Sequence, residues 1–341
     1  MELTEPELRT FLVNNQYPAF RGTQIFEAVH GQRKSLYEAS NIPSKLKDSL
    51  PAPLKMVKII KVFESKLDST KKLLYELEDG ELIEGVLMEY EHGHSLCVST
   101  QVGCRMGCRF CASTQGGKRR DLTVYEMLSQ IYAVENHFDV SISNVILMGS
   151  GEPFDNYDHV MQFLRVLHDP KGKGMSYRNM TISTCGIIPG IIKFSQEGIP
   201  VTLAISLHQS HQDEREKIMP VAKKYPLDQL MNALKIYQEM TNQRITFEYT
   251  VIEGVNDQER DVKSLKNLLS GLKAHINLIP LNPTEHYNEK RPDRDKIYSF
   301  QNQLIHAGLN ATVRRELGAD IDASCGQLRA GYSNGIKGVV K

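Results

Sequence analysis

From Leu96 onward, short apolar segments typical of β-strands alternate six times with segments of helical periodicity. This alternation predicts parallel strands, because a helical crossover is the usual link between two neighbouring parallel strands. A complete eight-unit barrel takes about 250 residues, more than the roughly 220 between Leu96 and Arg315. We therefore predict an α/β fold with a partial (β/α)6 barrel. The expected strands lie near Leu96 to Thr100, Asn144 to Met148, Met180 to Thr184, Thr202 to Leu207, Ile245 to Val251 and His275 to Ile279, with a seventh near Ala311 to Arg314.

The chain before Leu96 shows two other patterns. Up to residue 50, apolar positions such as Leu8, Phe11 and Leu12 recur at three- and four-residue spacing, which predicts helices. From residue 51 to 95 the spacing shifts towards two, which predicts a short antiparallel β extension. The expected division is an N-terminal helical domain (1–50), the β extension (51–95), the partial barrel (96–315) and a C-terminal segment (316–341).

The composition is that of a folded protein, with 40% hydrophobic and 24% charged residues and no low-complexity tract. Lys+Arg and Asp+Glu both number 41, so the net charge gives no indication for or against nucleic-acid binding. The first ten residues carry acids where a signal peptide needs basic residues, and no segment approaches ~18 uninterrupted apolar residues. We expect a cytoplasmic protein without a membrane segment.

Four of the six cysteines, Cys97, Cys104, Cys108 and Cys111, lie within fifteen residues. The last three form a C-x3-C-x2-C run, which offers three thiolates from one loop. A [4Fe–4S] cube takes four ligands, so three cysteines leave one iron open to a substrate or cofactor. Structural zinc is the alternative, but it generally needs four ligands in paired spacing, and no second Cys/His pair is placed for that. We favour the cluster.

Each chemically unusual string follows one of the predicted strands. Because the carboxyl ends of parallel strands form the ligand-binding face of α/β proteins, these strings are expected to meet at one end of the sheet. The strings are Gln101 to Cys111, Gly149 to Pro153, Cys185-Gly186, His208 and Pro280 to Pro283.

The three-cysteine run resembles the motif of the radical S-adenosylmethionine (SAM) superfamily, whose [4Fe–4S] cluster chelates SAM and cleaves it reductively. Cys97, seven residues before Cys104, and Cys325 near the C-terminus narrow this resemblance to the RlmN/Cfr family of RNA adenine methyltransferases. The similarity extends over nearly the whole chain. It includes Gly151-Glu152-Pro153, Ser183, Ser206-Leu207-His208, the Asn282-Pro283 pair and the string Asp320 to Leu328.

The resemblance implies a ping-pong route that uses two molecules of SAM. One methylates the Cys325 sulfur, and a second is cleaved to a radical that removes hydrogen from the new methyl group. The carbon radical adds to an adenine ring carbon, which is not nucleophilic enough for direct transfer from SAM. Glu84 matches the proton-accepting carboxylate. Cys97 then attacks Cys325, which releases the product and leaves a Cys97–Cys325 disulfide.

The resemblance also implies cofactor contacts. Gly151 and Glu152 match the contact to the amino group of SAM. Taken alone, glycine, serine and asparagine at strand ends are common turn residues, and a lone strand carboxylate such as Glu84 is usually solvated. The remaining residues that match contacts to SAM are Ser183, Ser206, Leu207, His208 and Asn282.

The family resemblance implies RNA partners and an electron donor. The expected substrates are 23S ribosomal RNA, at C2 of adenosine 2503 before ribosome assembly is complete, and transfer RNA, at C2 of adenosine 37. A one-electron donor such as flavodoxin is expected, and the N-terminal helices resemble an accessory RNA-binding domain. Two basic strings, Lys118-Arg119-Arg120 and Arg314-Arg315, are candidates for phosphate contacts.

Three alternatives stay open at the level of sequence. The first is Cfr-type methylation of C8 of the same ribosomal adenosine, which brings antibiotic resistance. Gly151 to Asn156 and Arg314 to Glu316 favour the RlmN type, whereas Gln209 to Gln212 departs from it. The others are a radical SAM enzyme acting on another substrate and an RNA-binding module stabilised by a structural metal. Cys185 is expected to be a small core residue.

Overall fold

The computed structural model describes residues 2–34, 36–50, 56–282, 284, 287 and 289–328. The first four strands form an antiparallel meander, and the next two form a small hairpin at the cysteine loop. They are β1 (Lys58–Glu64), β2 (Lys71–Glu76), β3 (Leu82–Tyr90), β4 (Gly93–Cys97), β5 (Gln101–Gly103) and β6 (Lys118–Asp121). The later strands are β7 (Ile142–Leu147), β8 (Met180–Thr184), β9 (Thr202–Ser206), β10 (Ile245–Val251), β11 (Ala274–Pro280) and β12 (Ala311–Val313).

The described residues form eleven α-helices, and the first three of these lie in the N-terminal segment, which confirms the helical pattern predicted there. They are α1 (Glu5–Asn14), α2 (Phe20–Phe26), α3 (Ser44–Ser49), α4 (Val124–Phe138), α5 (Tyr157–His168), α6 (Ile188–Ser195), α7 (Gln212–Ile218), α8 (Val221–Lys224), α9 (Leu227–Thr241), α10 (Glu259–Leu268) and α11 (Arg294–His306). A capping box begins α4: Thr123 Oγ1 accepts from the Glu126 backbone N–H, and the Glu126 carboxylate accepts from the Thr123 N–H.

One ten-stranded sheet, in the order β1-β2-β3-β4-β7-β8-β9-β10-β11-β12, forms the frame of the molecule. The first four strands are antiparallel and the remaining pairs are parallel, so the predicted β extension and α/β partial barrel are both confirmed and are hydrogen-bonded to each other. The strand expected near Leu96 to Thr100 is β4, which begins earlier, at Gly93. It pairs with the β extension on one side and with the partial barrel on the other. Leu96 pairs antiparallel with Leu87 on one side and parallel with Val145 on the other.

A small antiparallel hairpin, β5–β6, was not predicted and brackets the cysteine loop. Val102 pairs with Arg120, and Gly103 adopts a φ of +76°. A β-carbon at Gly103 would lie 1.9 Å from the Gly117 carbonyl oxygen, so the two strands approach here only because this residue is glycine. The hairpin closes the cysteine loop at its base.

Alternation along the central strands separates the core from the site. On β10, Phe247, Tyr249 and Val251 are completely buried in the main hydrophobic core, whereas Glu248 and Thr250 face the cavity described below. This follows from the two-residue period of a strand. Among the described residues, no helix is long and apolar enough to cross a membrane.

Candidate active site

The carboxyl ends of the parallel strands surround a cavity. Most of the residues selected from the sequence line it. They are Cys104, Cys108, Cys111, Gly151, Glu152, Ser183, Ser206, His208, Asn282 and Cys325. Leu207 is not among them, because its side chain is buried in the hydrophobic core. Pro283, the last residue of the predicted string from Pro280 to Pro283, lies outside the described residues.

The three cysteines of the C-x3-C-x2-C run share one wall of this cavity. Burial raises the pKa of the Cys104 thiol to about 12, and the nearby Cys111 thiol contributes in the same direction. Burial also raises the pKa of Cys108, reinforced by Cys111 and then Cys104. Ligation by a cationic metal centre removes such protons, because the thiolate is the ligand. No group of three or more His, Cys, Asp or Glu in the described part of the chain is arranged to hold a single metal ion.

Glu152 joins the loops that follow β7 and β8. Its buried carboxylate accepts hydrogen bonds from the backbone N–H groups of Phe154, at 3.0 Å, and Cys185, at 2.8 Å. Burial raises the pKa of this carboxyl, against the effect of those hydrogen bonds. The preceding Gly151 has a φ of +109°, and a β-carbon there would lie 2.6 Å from Cβ of Gln101. A glycine is therefore required for this close approach.

His208 is held as a neutral ring at the cavity wall. The Thr250 backbone N–H donates to Nδ1 at 3.0 Å, which leaves the proton of the neutral ring on Nε2. Burial lowers the pKa of His208 to about 3, and the positive charge of Arg215 acts in the same direction. The ring also packs edge-on against Phe110 of the cysteine loop, with centroids 4.7 Å apart.

A second, smaller cavity adjoins the first. Cys97 lies in its wall, together with apolar side chains that include Val86, Met88 and Leu317. Five residues belong to the walls of both cavities: Met148, Ile279, Asn282, Arg314 and Cys325. The Cys325 thiol thus stands between the cysteine loop and Cys97. All six cysteines are free thiols.

Cys97 ends β4 and is buried beside Cys325. Burial raises the pKa of the Cys97 thiol to about 12; Cys325 contributes to this increase, and Arg314 opposes it. Arg314, a candidate for phosphate contacts, lines both cavities with 22% of its side chain exposed. Its Nη1 lies 3.7 Å from Oε2 of Glu248, and its guanidinium interacts electrostatically with both cysteines.

Contacts from three other parts of the chain hold the backbone around Cys325. The Asn282 side-chain N–H donates to the Cys325 carbonyl at 3.1 Å, and the Ala112 N–H donates to the Gly326 carbonyl at 2.7 Å. Farther back, the Asp320 carboxylate accepts from Ser65 Oγ at 2.6 Å and from the Lys66 N–H at 2.7 Å. The turn between β1 and β2 therefore anchors the segment that carries Cys325.

Replacement of Asp320 with Ala should remove both of these hydrogen bonds and loosen the Cys325 segment. If Cys325 is the methyl acceptor that the sequence resemblance implies, its rate of methylation, measured by mass spectrometry of the intact protein, should fall severalfold while iron content and SAM affinity stay the same. Glu64→Ala is the matched control, because that exposed carboxylate lies on β1 and pairs with Lys71. Equal rates in wild type and Asp320→Ala would show that this anchor does not position Cys325.

Glu84 lies on β3, only 1% exposed, with its carboxylate 3.7 Å from the Lys72 ammonium. It is two residues from Val86, which pairs directly with Cys97, so Glu84 lies on the same face of the sheet as Cys97. It is not part of either cavity wall. The structure therefore places Glu84 on the Cys97 face of the sheet but outside both cavity walls.

The basic string on β6 is neutralised by acidic neighbours. Lys118 pairs with Asp121 and Asp155, Arg119 with Glu81, and Arg120 with Asp79 and Glu126. Phosphate groups would have to compete with these carboxylates. The predicted phosphate contacts at this string therefore gain no support from its geometry.

Two cavity residues escaped the sequence prediction. Glu248 is a single carboxylate in the otherwise apolar strand β10, and that isolated charge was the available signal. It accepts hydrogen bonds from the Asn277 side chain, at 3.2 and 2.9 Å. Cys185, expected to be a core residue, is buried but also lines the larger cavity, next to Cys108 in one apolar cluster.

Residues 98–265 match the Radical SAM superfamily. This stretch includes the loop of three cysteines and four of the parallel strands that follow it. A crystal structure of a radical SAM methyltransferase from Sphaerobacter thermophilus superimposes with a TM-score of 0.90, at 38% identity, over 96% of this chain and 98% of that one. Fold and site thus define a radical SAM enzyme, whose cofactors are a [4Fe–4S] cluster and SAM.

Curated relatives narrow the class. A probable dual-specificity RNA methyltransferase RlmN from Clostridium botulinum (strain Eklund 17B / Type B) is 44% identical over 334 residues, covering 97% of this chain and 96% of that protein. A protein of the same name from Thermoanaerobacter sp. (strain X514) is 45% identical over 336 residues, covering 97% of each chain. This chain belongs to the RlmN family of radical SAM methyltransferases.

Proposed function

We propose that this protein methylates C2 of adenosine 2503 in 23S ribosomal RNA, and C2 of adenosine 37 in transfer RNAs, through a methylated Cys325. The position of Cys325 carries this proposal. Its side chain lines both cavities, with the three-cysteine loop on one side and Cys97 on the other. A sulfur in this position can accept a methyl group on one side and present it to a substrate on the other.

The larger cavity is the site for the cluster and SAM in this proposal. Cys104, Cys108 and Cys111 supply the three thiolates, and the cluster supplies the electron that cleaves SAM. Glu152 holds the loop after β8, and the glycine at position 151 lets the backbone of the cavity wall pass close to Gln101. Ser183, Ser206, His208 and Asn282 are the polar wall residues proposed to orient SAM.

The second cavity is the proposed site of the target base. Its wall includes the apolar side chains of Val86 and Met88 and the ring of Tyr90, which suit the flat faces of an adenine taken out of its stack. Cys97 and Cys325 both reach this cavity. Once the methylene group bridges Cys325 and the base, the Cys97 thiolate can attack the Cys325 sulfur. The sulfur–carbon bond breaks, its electron pair returns to the carbon, which takes up a proton from solvent to become the methyl group, and a Cys97–Cys325 disulfide forms.

Glu84→Gln should leave cluster assembly and Cys325 methylation intact but stop product formation. The physical reason is that only the later removal of a proton from the base needs a carboxylate. The measurement is a parallel assay of methylated Cys325 and of methylated adenosine. Glu81→Gln is the control, because this carboxylate immediately precedes β3 and pairs with Arg119. Normal product formation by Glu84→Gln would remove Glu84 from the mechanism.

Mass spectrometry of adenosines from RNA treated with enzyme and SAM tests the proposed reaction itself. We expect 2-methyladenosine in 23S ribosomal RNA before assembly and in transfer RNA. Formation of 8-methyladenosine would contradict the proposed C2 position while preserving the two-cysteine route. RNA that stays unmethylated, in a reaction where SAM is cleaved, would favour a radical SAM enzyme with another substrate.

The proposed partners follow from this reaction. The N-terminal helices α1–α3 are assigned to accessory RNA binding, and a one-electron donor such as flavodoxin is assigned to cluster reduction. The proposed setting is the cytoplasm, where reducing conditions keep the cysteines as thiols between turnovers.

A further inference from the structure

Arg215 of α7 is a fully buried arginine, with 0% of its surface exposed. Its guanidinium donates to three backbone carbonyls: those of Cys185 at 2.8 Å, Ser206 at 3.1 Å and Leu207 at 3.1 Å. Its Nη1 is also buried and has no hydrogen-bond partner within the described part of the chain. Three of the five N–H donors are thus satisfied, and the two on Nη1 are left over.

The charge of Arg215 has no carboxylate partner among the described residues; the negative groups that act on it are the thiolate forms of Cys185 and Cys108. A buried cation without a counter-charge is strongly unfavourable. Arginine keeps its charge even when buried, so deprotonation does not relieve this cost. An anion must therefore be supplied by something other than a carboxylate.

The guanidinium lies directly behind the cysteine loop. Cys108 packs with Cys185, Ile218 and Met219 in one apolar cluster, and the backbone N–H of Arg109 donates to the Ile218 carbonyl at 2.9 Å. The last turn of α7 is thus fastened to the loop. Arg215 occupies the preceding turn of the same helix.

We propose that Arg215 is the buried counter-cation of the iron–sulfur cluster, facing it from the Cys108 side and favouring its reduction. This rests on the proposed assignment of Cys104, Cys108 and Cys111 as cluster ligands. An oxidised [4Fe–4S] core with three thiolates carries one net negative charge, and two after it accepts an electron. A fixed positive charge therefore stabilises the reduced form more than the oxidised form.

A redox titration followed by electron paramagnetic resonance, on protein reconstituted with iron and sulfide in the absence of SAM, tests this role. In Arg215→Met the midpoint potential should shift to more negative values, and in Arg215→Lys, which keeps the charge, most of that shift should be absent. Arg165→Met is the matched control: it removes one arginine charge from α5, where Arg165 pairs with Glu197. Its potential should equal that of the wild type.

Thermal unfolding of each protein, measured with and without its cluster, distinguishes a purely structural role of Arg215 from a role in balancing the cluster charge. If Arg215 only bridges three carbonyls, Arg215→Met lowers the unfolding temperature of both forms equally. If Arg215 balances the cluster, the rise in unfolding temperature that the cluster brings is smaller in the variant than in the wild type. Arg215→Gln, which keeps side-chain donors but loses the charge, serves the same purpose if Arg215→Met does not fold.

The failure of this inference differs from the failure of the proposed function. About four irons per chain, with the wild-type potential in Arg215→Met and Arg215→Gln, would overturn the role of Arg215 and leave the cluster assignment standing. Wild-type protein that does not take up a cluster would overturn the assignment itself.

Discussion

The Cys97→Ala variant should purify as a covalent adduct with RNA. In the proposed route Cys97 is not needed to join Cys325 to the base, but it is needed to break that bond. The two thiols lie in the wall of one cavity, so removal of the first leaves the second without its attacking partner. Denaturing gel electrophoresis before and after ribonuclease treatment measures the result. A nuclease-sensitive band above the free protein is expected.

The double variant Cys97→Ala/Cys325→Ala is the control for this adduct. It has no sulfur from which the adduct can form, so it should run as free protein. High salt separates the same two cases, because it weakens electrostatic RNA binding but leaves a thioether intact. If Cys97→Ala shows no adduct and methylates RNA at the wild-type rate, the two-cysteine mechanism is wrong.

Replacement of Cys104, Cys108 or Cys111 with Ala should abolish SAM cleavage. Two remaining thiolates are too few to retain a cluster with one open iron, so iron should fall from about four per chain to near zero. Cys185→Ala is a matched control, because Cys185 lines the same cavity and packs against Cys108 but lies outside the three-cysteine run. It should keep its iron.

Metal analysis of anaerobically purified protein distinguishes the proposed iron–sulfur cluster from the alternative, a structural metal site. Stoichiometric zinc in the wild type, with normal folding, would favour a structural metal site. Retained iron with normal SAM turnover in the cysteine variants would remove the three-cysteine run from the cofactor site.

Much of the fold follows from periodicity in the sequence. The strand–helix alternation locates the parallel strands to within a few residues, because apolar residues at a spacing of two, such as Phe247, Tyr249 and Val251, must be buried on one face of a strand. The β5–β6 hairpin could not be found in this way. Its second strand is Lys118–Asp121, four charged residues whose pairing depends on a glycine contact with the first strand.

The candidate site could be predicted where chemistry marks the residue type, as with the three cysteines and Cys325. Positions that depend on the packing of side chains could not. The basic pair Arg314-Arg315 suggests a surface for RNA, yet Arg314 lines the cavities, with its guanidinium 3.7 Å from the Glu248 carboxylate. Arg215 lies in a charged helical stretch, Gln212–Ile218, that looks solvent-exposed in the sequence, yet its guanidinium is surrounded by the buried carbonyls of Cys185, Ser206 and Leu207.

The two thiols of the second cavity lie on different kinds of structure: Cys97 on a strand and Cys325 on a loop. Cys97 belongs to β4, which is hydrogen-bonded on both sides, so displacing it would break two ladders at once. Cys325 is held by separate contacts, such as those of Asn282 and Asp320, which can change one at a time. Substitutions can therefore shift the Cys325 thiol one contact at a time, whereas the position of the Cys97 thiol can change only together with the sheet.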